Sequence, residues 1–167
     1  MKRTVFLRSL ALTFAIGTCA SVGTAAAPEK WATYMNARFG ATVDYPATIF
    51  TVRDPEPDNG DGQSFHSGDG KAQLLVYGAL NADGDTPKKY LEKLPNEGVS
   101  YKNTTARSYV VSGTRKDELF YERCNFQPDG GDTIVCFSLT YPAQDKTAWD
   151  PIVTRLSKSL RAGRGKH

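Results

Sequence analysis

Glu118-Leu-Phe-Tyr-Glu-Arg-Cys-Asn-Phe126, then Gln127-Pro-Asp-Gly-Gly-Asp132, then Thr133-Ile-Val-Cys-Phe-Ser-Leu-Thr-Tyr141: this stretch decides the fold class. Its two flanks are rich in β-branched and aromatic residues, which suit a pleated, half-buried surface. The middle carries Pro, Asp and two glycines, which is turn chemistry. A hairpin centred on Gly130 places Cys124 and Cys136 opposite each other, at the short Cβ separation a disulfide needs. Closing so short a loop stabilises a chain by about 3 kcal/mol on the chain-entropy account. A redox or metal role finds no support, because there is no C-x-x-C and both histidines lie far off in sequence. The expectation is a structural disulfide.

Working outward, further short strands are expected. Phe39-Gly-Ala-Thr-Val-Asp-Tyr45 alternates and stops at Pro46. Thr48-Ile-Phe-Thr-Val52 reads as the next strand. Gln63–Ser67 pairs with Lys71–Tyr77 through Gly68-Asp-Gly70. Tyr101–Ala106 and Ser108–Ser112 read as strands, and Trp31–Asn36 as strand or helix. Thr86 followed by Pro87 marks an N-cap and first helical residue, and Pro95 stops that helix. A second helix is expected to start with Asp150 as cap and Pro151 at its first position. It carries Trp149, Ile152, Val153, Leu156 and Leu160 as an apolar stripe. Seven or eight strands with two or three helices, not in regular alternation, indicate an α+β domain built on an antiparallel sheet flanked by helices.

The N-terminus reads as an address. Lys2, Arg3 and Arg8 precede the apolar run Leu10–Ile16, and Ala25-Ala26-Ala27 supplies small residues for cleavage. Residues 1–27 are therefore expected to be a secretory signal peptide. Residues 28–161 form one domain and residues 162–167 a basic tail. Thr18 before Cys19 argues against lipidation. No later segment is apolar enough to span a membrane, so the expected location is the periplasm or secreted space, where a disulfide persists. The chain has 21 Lys and Arg against 18 Asp and Glu. The signal segment carries the whole excess, so no basic field for nucleic acid remains.

Candidate chemistry is sparse. Asp54, Glu56, Asp58, Asp61 and Asp69 sit among glycines, as hard-oxygen ligands for Ca2+ do. Asn59 and Phe65, however, occupy the sixth and twelfth positions of the loop, where an EF-hand needs Gly and Glu. His66 lies near Ser64, Ser67, Asp61 and Asp69, the residue types of a hydrolytic triad, but no G-x-S-x-G elbow accompanies them. Phosphate-cradling glycine motifs are absent, and no cofactor is indicated. The tyrosines Tyr77, Tyr90, Tyr101, Tyr109 and Tyr121 suit sheet packing or a groove.

Phe39-Gly-Ala-Thr-Val-Asp-Tyr-Pro46 resembles the opening F-G-x-x-x-x-Y-P strand of PsbP-like domains. Leu139-Thr-Tyr-Pro142, followed by Trp149-Asp-Pro-Ile-Val153 and Ser159-Leu160, is similar to their closing strand and helix. Phe65-x-Ser-x-Asp-Gly70 before an apolar strand fits as well. The resemblance covers most of residues 31–161. It implies an antiparallel sheet sandwiched by helices, and a small binding, adaptor or assembly protein with no shared catalytic motif. The expected function is an exported, non-catalytic binding or adaptor protein whose partner is a protein or a small ligand. The rival expectations are a small hydrolase using His66 and a Ca2+-stabilised structural module.

Overall fold

The computed structural model describes residues 30–127 and 132–162. The expected signal segment, Cys19, residues 128–131 of the expected hairpin turn and the end of the expected basic tail lie outside them. Ten strands are described: β1 (Trp31–Met35), β2 (Ala41–Pro46), β3 (Val52–Arg53), β4 (Gly62–His66), β5 (Gln73–Leu80), β6 (Val99–Thr104), β7 (Ser108–Arg115), β8 (Glu118–Phe126), β9 (Thr133–Pro142) and β10 (Arg161–Ala162). The helices are α1 (Pro87–Lys93) and α2 (Lys146–Ser159), with a 3-10 turn at Ala143–Asp145. β1, β2 and β10 form a small sheet. The other seven form a large antiparallel sheet in the order β3-β4-β5-β9-β8-β7-β6. This is the α+β class expected from the sequence.

β8 and β9 pair in the anticipated register, with Cys124 opposite Cys136. The two are joined by a disulfide, their Cα atoms 4.2 Å apart. Alternation along β9 then sorts its side chains between two faces. Val135, Phe137, Leu139 and Tyr141 enter the main core with Leu74 and Val76 of β5 and Trp149, Ile152 and Leu156 of α2. Ile134 and Cys136 enter a smaller core with Leu91 of α1, Tyr109 and Phe120. One face of the large sheet is thus covered by α2 and the small sheet, and the other only by the short α1. β5 runs beneath Phe39 without a side chain at Gly78, where a Cβ would stand 2.2 Å from that of Phe39.

Three expectations need correction. α2 begins a turn earlier than the Asp150-Pro151 pair suggests. The 3-10 turn leads into it, Asp145 precedes it, and Pro151 lies inside it. Asp150 does not cap; its carboxylate accepts from Lys146 Nζ at 2.9 Å. Trp149 stacks on Tyr141, centroids 5.0 Å apart, which anchors the turn before the proline. Thr48–Val52 is mostly turn, with Phe50 N donating to Pro46 O at 3.0 Å, and only Val52 and Arg53 pair as β3. Ala162, placed in the tail by its sequence, pairs with Ala41 in β10.

α1 starts as read: Thr86 Oγ1 accepts from Lys89 N at 3.3 Å, and Pro87 follows. It is held from the preceding loop by Asp85, a buried residue whose carboxylate pairs with Lys89 at 2.8 Å and with Lys93. The hydrogen bond from Lys89, then that from Lys93, holds the Asp85 carboxyl below its ordinary value.

Candidate functional site: the open face of the large sheet

On the second face α1 packs mainly against β7, toward one edge of the sheet. The cross-strand register lays out a row there, Ser64, Leu75, Ser138, Glu122 and Val111. A second row runs His66, Gln73, Thr140 and Phe120. Ser64, His66, Leu75, Glu122, Ser138 and Thr140 are half-buried and Gln73 is exposed. The result is a trough with a mixed floor of hydroxyls, one leucine and one carboxylate.

Two walls bound it. The first is the 54–61 loop, whose Pro55 and Pro57 stand over Ser64, Leu75 and Tyr77. The loop is pinned at several points. Buried Gln63 donates through Nε2 to Asp54 O at 2.7 Å and accepts from Arg53 Nε at 2.7 Å. Asn36 Nδ2 donates to Gly60 O at 2.7 Å, and Arg38 Nη1 donates to Asn59 O at 2.7 Å and to Asp61 at 2.6 Å. The second wall is the segment after α1, with Leu94, Pro95 and Val99 over Glu122, Ser138 and Thr140. There Gly98 and Gly113 let two backbones touch: Thr114 N donates to Gly98 O at 2.9 Å, and a Cβ on Gly113 would lie 1.9 Å from that oxygen.

Glu122 is the trough's distinctive group. Tyr109 Oη donates to its Oε1 at 2.7 Å and Tyr77 Oη to its Oε2 at 3.4 Å. Tyr109 Oη also lies 3.1 Å from Cys124 Sγ, so the disulfide backs this cluster. Burial raises the Glu122 carboxyl above its ordinary value of 4.5, against the opposing pull of the two tyrosine hydrogen bonds and the Arg115 charge. Burial, and then the Glu122 charge, push both tyrosine hydroxyls up as well.

Between the unfolded value and the raised folded value of Glu122, the native state holds a proton the unfolded chain has released, so stability falls as pH rises through that window. Asp85 acts in the other direction and lower: its contribution is present above 3.8 and is lost as pH falls through its depressed value. Urea unfolding of Glu122→Gln across pH is expected to lack the decline above 4.5 that the wild type shows. Parallel wild-type and variant profiles would contradict the burial of this charge.

The sequence-nominated residues scatter. His66 shares the trough floor, and its Nε2 lies 2.9 Å from Asp54 Oδ2. This is a His–Asp pair, but the nearest serines do not complete a triad. Ser67 Oγ donates to Asp69 at 2.6 Å and accepts from Ala72 N at 2.9 Å, closing the β4–β5 turn, and no hydrogen bond joins Ser64 to His66 among the described residues. Asp69 thus serves a turn, and Ser67's hydrogen bond holds its carboxyl below the ordinary value. Asp61 pairs with Arg38, and Asp58 points into solvent on the loop. Among the described residues no three His, Cys, Asp or Glu side chains converge to hold a metal ion. Glu122 escaped the sequence reading. The signal for it lay in the period-2 spacing Phe120-x-Glu122-x-Cys124, which sets the carboxylate on the disulfide's face.

Comparison with known proteins follows the architecture. No family model matches the sequence. The solution structure of cyanobacterial PsbP (CyanoP) from Synechocystis superposes with a TM-score of 0.61 at 11% identity, over 89% of this chain and 99% of that one. The chain has the PsbP-like fold. The crystal structure of the Ran-binding protein Mog1p of Saccharomyces cerevisiae superposes on this chain with a TM-score of 0.50 at 12% identity, over 80% of this chain and 96% of that one. In sequence, a methionine–tRNA ligase of a Nocardioides species is 30% identical over 108 residues. That match takes in 63% of this chain, which spans only 18% of the ligase's length. No helix among the described residues is long and apolar enough to cross a membrane.

Proposed function

We propose that this is an exported, non-catalytic binding or adaptor protein that takes a protein partner or small ligand on the open face of its large sheet. The observation that carries the reading is the half-exposed row Ser64, Leu75, Ser138 and Glu122, held between two pinned walls. A concave site of mixed polarity on a rigid scaffold is what recognition uses. The likeness in fold to Mog1p, a Ran-binding protein, supports the reading. The His66–Asp54 pair lacks a nucleophile beside it, which is why the hydrolase reading stands second. For export, the support is the signal layout of residues 1–27 together with a disulfide that suits an oxidising compartment. Residues 28–162 then constitute the working domain, with the residues after it as a basic tail.

The test is native mass spectrometry of the protein isolated from the extracytoplasmic fraction of its own cells, beside a Leu75→Arg/Ser138→Arg variant that fills the trough. A co-travelling mass is expected on the wild type and at least about tenfold less of it on the variant, a loss of about 1.4 kcal/mol. A mass carried equally by both, or a bare chain in both, contradicts the reading.

A further inference from the structure

At the α1 end the trough deepens into a cavity of about 160 Å3. Leu94, Val99, Val111 and Phe120 make its waist apolar, and it holds one anion and one cation, Glu122 and Arg115. The two face the same space without meeting: among the described residues, neither forms an ion pair with any partner. Glu122 is fixed from behind by Tyr109 and Tyr77, which leaves its outer lone pairs toward the cavity. The central carbon of the Arg115 guanidinium lies over Phe120, 4.2 Å from the ring centroid, and its Nε donates to Glu97 O at 3.3 Å. Its outer N–H groups remain for an anion.

The two charges narrow the ligand. A carboxylate and a guanidinium, neither of them in an ion pair among the described residues, on one small cavity suit a small zwitterion, which brings an ammonium to the first and a carboxylate to the second. The volume, about five waters' share of the liquid, admits a short aliphatic side chain.

We propose that this cavity binds a free α-amino acid with a short aliphatic side chain, its ammonium on Glu122, its carboxylate on Arg115 and its side chain against Leu94, Val99 and Val111. The proposal rests on the open face being the binding surface and names a ligand class for one end of it. The titration is done near neutral pH.

The experiment is an amide-resolved NMR titration of the protein with L-valine. Saturable shifts are expected at Val111, Phe120, Glu122 and Ser138. Isovalerate, which lacks the ammonium, and valinamide, which lacks the carboxylate, bind at least about tenfold more weakly. Glu122→Gln weakens valine by a similar factor. Arg115→Met, which keeps the packing on Phe120, weakens valine and leaves valinamide unchanged. No saturable shift with valine, alanine or leucine up to millimolar concentration overturns the proposal, as does equal binding of valine and both analogues. A silent cavity beside a co-travelling mass lost from Leu75→Arg/Ser138→Arg overturns this inference and leaves the open-face reading standing. A mass retained by that variant overturns the open-face reading, and the valine titration then decides the cavity on its own.

Discussion

Phe137→Ala is expected to lower the unfolding free energy by about 3–5 kcal/mol, and Ser138→Ala, one residue on, to change it by less than about 0.5 kcal/mol. Phe137 is fully buried in the main core and stacks on Tyr121 with centroids 5.7 Å apart. Its truncation removes transfer energy and leaves a cavity beneath α2 that rigid neighbours fill poorly. Ser138 points to the other face, half-buried on the trough floor. In urea melts the first variant shifts the midpoint strongly and the second hardly at all, with the same denaturant dependence in both. Equal losses would mean that both faces of β9 are covered, and the trough would not exist.

Removing the disulfide is the second large effect. Cys124→Ala with Cys136→Ala is expected to lower stability by about 3 kcal/mol. The two residues are 12 apart in sequence and directly opposite on adjacent strands, so the link closes a short loop the unfolded chain otherwise explores. Both are buried against Tyr109 and Ile134, so the substitution also loosens the packing behind Glu122. The check is the same melt with and without reductant: the wild type drops to near the variant when reduced, and the variant does not move. A wild type indifferent to reductant, or an intact mass showing two free thiols, contradicts the link.

The hairpin was legible because everything that fixes it is local. Strand composition, turn residues and the equal spacing of two cysteines about Gly130 all lie within one short stretch. The start of α1 was legible for the same reason, through Thr86 and Pro87. The start of α2 was not, because Asp150-Pro151 has the chemistry of a cap. What overrides it is tertiary: Trp149 sits on Tyr141 and Phe50, and Lys146 holds Asp150. The site was the least legible part. Ser64, Leu75, Ser138 and Glu122 come from four strands, and only the sheet order brings them into one row. The acidic loop drew attention by its composition, yet its carboxylates turn to Arg38, Arg53 and His66, which brace a wall.

The central claim, that recognition happens on the open sheet face, is tested most directly by placing a photo-crosslinking amino acid at Ser138 and, separately, at exposed Lys158 on α2. Irradiating cells that make each version and weighing the protein gives the answer. The account predicts a discrete adduct from position 138 and none from position 158. An adduct from 158 with none from 138, or equal adducts from both, would contradict it.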